Sequence, residues 1–124
     1  MIGYVMFGTS DAARARTLYD PLMAKLGARV VAAYTSDTRV WYGSGSGPLL
    51  VITQPYDGGP ASAGNGSMVA LSVASRAEVD DIHALALQLG GSDEGAPGLR
   101  TGTFYGAYFR DFDGNKLCVY TTAA

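Results

Sequence analysis

At 124 residues the chain is sized for one domain with a true hydrophobic core, and its 48% apolar and 16% charged residues fit broad buried faces. A net charge of −2, with the nine Lys and Arg residues scattered, supplies no basic surface for nucleic acid. No run approaches the roughly 18 apolar residues of a membrane span, the N-terminus lacks the pattern of a secretory leader, and one cysteine cannot close an internal disulfide, so a cytoplasmic location is expected.

Residues 3–8, Gly-Tyr-Val-Met-Phe-Gly, read as a strand that ends in a polar step at Thr9, Ser10 and Asp11. A helix follows, with Ala15, Leu18, Tyr19, Leu22 and Leu26 recurring at three- and four-residue steps along one face and Gly27 ending it. Pro21 falls inside this helix and removes a backbone donor, at about 3 kcal/mol in an unadapted helix, so a kink or a break is expected there. Strands are predicted at 29–34, 39–43 and 49–53, the last two joined through the run Gly43-Ser44-Gly45-Ser46-Gly47. That run is a flexible turn and not a phosphate loop, since it lacks both the lysine and the following helix. Residues 56–65, rich in Gly, Pro and Ser, read as a linker.

The second half repeats this grammar with a period of about 60 residues. A strand over 66–73 places Met68, Val69 and Leu71 where the first half has Tyr4, Val5 and Phe7. Ser75 and Glu78 form a capping box, Val79, Ile82, Ala86 and Leu89 form the buried stripe of a second helix, and Gly90-Gly91 ends it. A weakly marked strand at 92–99 precedes clear ones at 104–110 and 116–121, which meet at Asp111-Phe112-Asp113-Gly114-Asn115. The expected organisation is one domain made of two βαβββ modules, about 1–58 and 64–124.

Two motifs stand out in this frame. One is the helix start Ser10-Asp11-Ala12-Ala13-Arg14-Ala15, running on to Tyr19; the other is the turn Arg110-Asp111-Phe112-Asp113-Gly114-Asn115-Lys116. With the paired βαβββ order, they resemble the vicinal oxygen chelate superfamily, which holds glyoxalases, extradiol dioxygenases, and bleomycin- and fosfomycin-resistance proteins. The resemblance covers nearly the whole chain and implies an α+β fold, with a curled mixed and antiparallel sheet around a cavity.

In the metalloenzymes of that superfamily each module gives two metal ligands, one from its first strand and one from its last. The matching positions here are Tyr4, Val51, Met68 and Cys118. A divalent ion that activates vicinal oxygens needs hard nitrogen or oxygen donors. A valine, a thioether and a protonated thiol do not supply them, so no metal and no cofactor are expected, although Gln54 could restore one ligand.

The remaining chemistry-bearing residues have structural readings that outweigh functional ones. Cys118 reads as a small apolar filler because no adjacent base is evident. His83, on the outer or edge face of the second helix, reads as satisfied or solvated. Asp80 and Asp81 read as a solvated helix face, and Asp111 and Asp113 as turn formers.

The cavity wall is expected to be aromatic, with Tyr4 and Met6 from the first strand and Trp41 or Tyr42 from the third. The last hairpin allows two registers: Tyr105, Ala107 and Phe109 share a face with Lys116, Cys118 and Tyr120, or a one-residue slip brings Phe104, Tyr108 and Arg110 there instead. Arg100 is a solvated loop residue or a partner for an anionic substrate group. Aromatic walls with hydroxyl tips suit a flat, partly apolar organic molecule. The expected function is a metal-free binding protein for such a molecule, working as a homodimer. The alternatives are a glyoxalase-like lyase or isomerase acting on a small carbonyl compound, with Tyr4, Cys118 or Arg100 moving protons or stabilising charge, and a non-catalytic accessory domain.

Overall fold

Alternation in the first strand, β1 (Tyr4–Gly8), turns Phe7 inward while Tyr4 and Met6 stay exposed. β1 pairs in parallel with β4 (Leu49–Thr53), and parallel neighbours cannot be joined by a tight turn. The chain therefore crosses over through α1 (Ala12–Lys25), then lays down β2 (Arg29–Val30) and β3 (Arg39–Gly43) before reaching β4. The sheet order is β1-β4-β3-β2. In the computed structural model, which describes residues 1–124, this first unit spans Met1–Ala63 and the second Gly64–Ala124.

The second unit repeats the plan with β5 (Met68–Ser72), α2 (Arg76–Gln88), β6 (Ser92–Thr101), β7 (Phe104–Arg110) and β8 (Lys116–Thr121), in the order β5-β8-β7-β6. Again the outer pair, β5 and β8, is parallel. The fold is thus α+β, with two βαβββ modules and mixed four-stranded sheets, as expected. No helix is long and apolar enough to cross a membrane.

One face of each sheet lies against its helix. In the first unit Phe7, Val40, Tyr42, Leu50 and Ile52 are buried on that face with Leu18, Tyr19, Leu22 and Met23 of α1. In the second, Ala107, Phe109, Leu117 and Val119 are buried with Val79, Ile82 and Ala86 of α2. Caps fix where the helices begin: an Asp11 oxygen accepts from the Arg14 N–H at 3.0 Å, and Ser75 Oγ from the Glu78 N–H at 3.2 Å. Glu78 reaches back to the Ala74 N–H at 2.7 Å, one residue before the cap, so the capping box is present in a shifted form.

Three local expectations change. The strand predicted over 29–34 is only Arg29–Val30, followed by a 3-10 turn over Ala32–Tyr34. Thr35 causes the exit: its hydroxyl donates to the Val31 carbonyl at 2.9 Å and accepts from the Trp41 N–H at 3.1 Å, replacing ladder bonds. Pro21 does not break α1, which runs on to Lys25; Pro21 and Thr17, the residue four earlier whose carbonyl loses its donor, are both exposed to water. The weak strand at 92–99 is a ten-residue edge strand, β6, with register shifts around Gly95, Gly98 and Leu99, and Pro97 is tolerated because one side of an edge strand needs no donor.

The last hairpin takes the second of its two registers. The Asp111 N–H donates to the Asn115 carbonyl at 3.0 Å, which leaves three residues in the loop and pairs residues of like parity, Arg110 with Lys116 and Tyr108 with Cys118. Asp111 holds this turn: Oδ1 accepts from the Asp113 and Asn115 N–H groups at 2.9 Å each, and Oδ2 from the Asn115 amide at 2.8 Å. This is the turn-forming role expected of Asp111.

Tyr42 ties α1 to its sheet. Its buried hydroxyl donates to Asp20 Oδ1 at 2.6 Å, and Arg16 holds the same carboxylate through its Nε and Nη2. Burial, and then the bond to Asp20, push the Tyr42 hydroxyl far above the ordinary phenol range. Tyr42→Phe is expected to lower stability by about 1.5–3 kcal/mol in urea unfolding. Because the folded state holds this proton more tightly than the unfolded chain, the native protein is expected to lose stability as pH rises above about 10, and Tyr42→Phe to flatten that loss.

Candidate functional site

The helix-free faces carry the groups that the cores leave unused. In the first unit Tyr4, Met6 and Val51 share this face, since Tyr4 pairs with Leu49, Met6 with Val51, and Val51 with Trp41. The Trp41 ring sits between two tyrosines, 4.8 Å from Tyr4 and 5.5 Å from Tyr34 between centroids, at interplanar angles of 60° and 64°. Both are edge-to-face contacts, the arrangement favoured by the ring quadrupoles. Tyr4 and Tyr34 remain 55% and 59% exposed, far more than packing aromatics require. Tyr34, but neither Tyr4 nor Trp41, also lines a hollow of about 420 Å³ with Leu49, Val31, Gly43, Gly45 and Arg29.

In the second unit the helix-free face carries Met68, Lys116, Cys118, Tyr120, Tyr108 and Phe104. Phe104 and Tyr120 stack at 4.9 Å with their planes 8° apart. The Tyr108 ring has two cations over it, the Arg100 guanidinium and the Lys116 ammonium, each 5.3 Å from its centroid. Tyr108 stands directly across from Cys118. The thiol is fully buried, and burial pushes its pKa up against the opposing effects of the Tyr108 hydrogen bond and the Arg100 and Lys116 charges. A protonated, buried thiol is a filler rather than a nucleophile.

Two candidates leave the site. Tyr42 points into the core toward Asp20. Tyr105 turns to the helix side, where its hydroxyl donates to Asp80 Oδ1 at 2.7 Å and Arg76 lies 5.2 Å from its ring centroid. The three-residue loop accounts for Tyr105, because it pairs even-numbered residues of β7 with even-numbered residues of β8. Asp80 is therefore the anchor of a tyrosine and not a bare solvated carboxylate. His83 is buried, with Nε2 3.0 Å from Asp93 Oδ1, and so is satisfied within its own unit. The Gly95 N–H and then His83 hold the Asp93 carboxyl below the usual carboxylate range.

Lys116 lies on the face with Cys118 as the sequence pattern has it, and Tyr108 joins it through the second register, whereas Tyr34 is one the pattern does not single out. Tyr34 was masked by the apolar run that precedes it, and Tyr108 depended on the register. The donor set at the four superfamily ligand positions does not fit a divalent ion. Val51 has no donor, Met68 offers a thioether, Cys118 is held protonated, and only the Tyr4 hydroxyl is an oxygen. Gln54 lies beyond the end of β4, exposed, with its N–H donated to the Thr38 carbonyl at 2.9 Å.

A glyoxalase/bleomycin resistance protein from Albidiferax ferrireducens T118 has a crystal structure that superposes on this chain with a TM-score of 0.88 at 36% identity, over 98% of each chain. The chain belongs to the glyoxalase/bleomycin resistance protein family. Two more distant structures share the fold: a glyoxalase-related enzyme from Fulvimarina pelagi, at 17% identity and TM-score 0.78 over 98% of this chain and 87% of that one, and a lactoylglutathione lyase from Agrobacterium tumefaciens, at 20% and 0.70 over 98% and 92%. No protein-family model matches the chain, and no curated protein sequence matches it.

The state of Cys118 has a direct chemical readout. In native protein at pH 8 the thiol is expected to react with a disulfide reagent at least about 100-fold more slowly than in 6 M guanidinium, because it is both buried and protonated. Rapid stoichiometric labelling of the native chain would show an accessible thiolate instead.

Proposed function

We propose that this family member binds a small, partly apolar aromatic molecule without a metal ion, on the helix-free faces of its sheets. The observation that carries this is the Tyr4–Trp41–Tyr34 cluster, two half-exposed tyrosines edge-on to one tryptophan, of which Tyr34 also lines an open hollow. Exposed aromatic faces with hydroxyl tips match a flat ligand that stacks and accepts a hydrogen bond. Absence of a metal is supported by the donors at Tyr4, Val51, Met68 and Cys118. A homodimer is supported by the exposure of Ile2 and Met6, apolar side chains outside the aromatic cluster that a partner copy would cover. A lyase or isomerase acting on a small carbonyl compound would need a base, yet His83 is committed to Asp93 and Cys118 is held protonated.

Trp41 is the only tryptophan and so reports on its own site. A neutral aromatic ligand such as benzamide is expected to quench its emission saturably, while cyclohexanecarboxamide does not. Tyr34→Ala should weaken that binding about tenfold, the worth of one aromatic contact. Quenching without saturation, or an affinity indifferent to Tyr34→Ala, would remove the cluster from the site.

Metal content is tested separately. Purified protein is expected to carry far less than one equivalent of Zn²⁺, Mn²⁺, Ni²⁺ or Fe²⁺ by elemental analysis, and its melting temperature to stay within about 1 °C when each ion is added, since an ion that binds only the folded state must raise it. One equivalent of bound ion would overturn the metal-free assignment.

A further inference from the structure

The second unit holds two cations with no anion to meet them. Arg100 comes from β6 and Lys116 from β8, and both charges bear on the ring of Tyr108 and on the Cys118 thiol across from it. Neither forms an ion pair, and the one hydrogen bond of the Arg100 guanidinium is from Nη2 to the Ala96 carbonyl, at 2.5 Å. The nearby carboxylates are engaged: Glu94 binds Arg110, and Asp93 accepts from the Gly95 N–H at 2.9 Å and meets His83. Arg110, cross-strand from Lys116, is neutralised by Glu94 and gives its other contact to the Gly114 carbonyl at 2.8 Å, so it neither adds to this charge nor offsets it. Two positive charges on one ring repel, and an anion bound beside either would offset that repulsion.

Apolar surface adjoins this charge. Phe104 stacked on Tyr120 and the exposed Met68 thioether lie on the same sheet face. An aromatic ring set there would carry an anionic substituent toward Tyr108. We propose that Arg100 and Lys116, set around Tyr108, form a carboxylate-binding site for an aryl carboxylate, an inference that rests on the aromatic-binder function and narrows its ligand to an organic acid. The guanidinium offers a planar fork to the carboxylate and the ammonium a point charge, while the stacked pair receives the ring.

Amide chemical shifts of the ¹⁵N-labelled full chain, titrated with benzoate, benzamide and inorganic phosphate, test this site. Benzoate is expected to move signals of β6–β8 around Tyr108 and Cys118 and to bind at least about fivefold more tightly than benzamide, the worth of an exposed ion pair. Phosphate should bind more weakly than benzoate. Arg100→Met and Lys116→Met should each reduce the preference for benzoate to less than about twofold while benzamide binding persists. The site is overturned if benzoate binds no better than benzamide, if its preference survives both substitutions, if phosphate binds as well, or if no β6–β8 signal moves. In each of these cases saturable quenching of Trp41 by benzamide, read in the first unit, shows whether the aromatic-binder function itself still stands.

Discussion

Everything on the helix-free faces follows from the parallel pairing at one edge of each sheet. β1 with β4, and β5 with β8, run in the same direction, and each pair obliges the chain to return by a crossover that contains a helix. The helix covers one face of its sheet and consumes the apolar half of every strand. The other half of the strand residues has no helix of its own unit to pack on: Val51 and Cys118 are buried there, while Tyr4, Met6 and Met68 stay exposed. Function is available there because the core has no use for it.

Both units fasten helix to sheet with the same chemistry, a tyrosine hydroxyl donating to an aspartate. Tyr42 on β3 reaches Asp20 near the end of α1, whereas Tyr105 on β7 reaches Asp80 in the first half of α2. The first bond is buried and reinforced by Arg16; the second is exposed, with Arg76 over the ring. A repeat that is faint in residue identity therefore persists in the kind of contact. It also explains why two tyrosines of strongly aromatic strands are absent from the open faces: they are spent on anchoring.

The architecture was legible because its signals are local. Apolar periodicity at Ala15, Leu18 and Leu22, the caps at Asp11 and Ser75, and the DFDG turn each specify one element, and the order of elements then specifies the modules. The faces were less legible, for reasons tied to particular residues. Which of Tyr105 and Tyr108 joins Cys118 turns on whether the loop after Arg110 holds an odd or even number of residues, and that number is set by the Asp111–Asn115 backbone bond. Thr35 ended a strand early by competing for backbone groups, a choice that composition alone does not reveal. Charge pairing was least legible, because Glu94 and Arg110 lie far apart along the chain and meet only through the β6–β7 pairing.

Two glycines decide how the rings of the second sheet lie. A β-carbon at Gly95 would come within 2.9 Å of the Tyr108 ring, and one at Gly106 within 2.8 Å of Phe104, so both rings occupy space that any other residue would fill. The absence of two methyl groups thus makes room for both rings on the surface that an incoming molecule meets, one stacked on Tyr120 and the other carrying two cations.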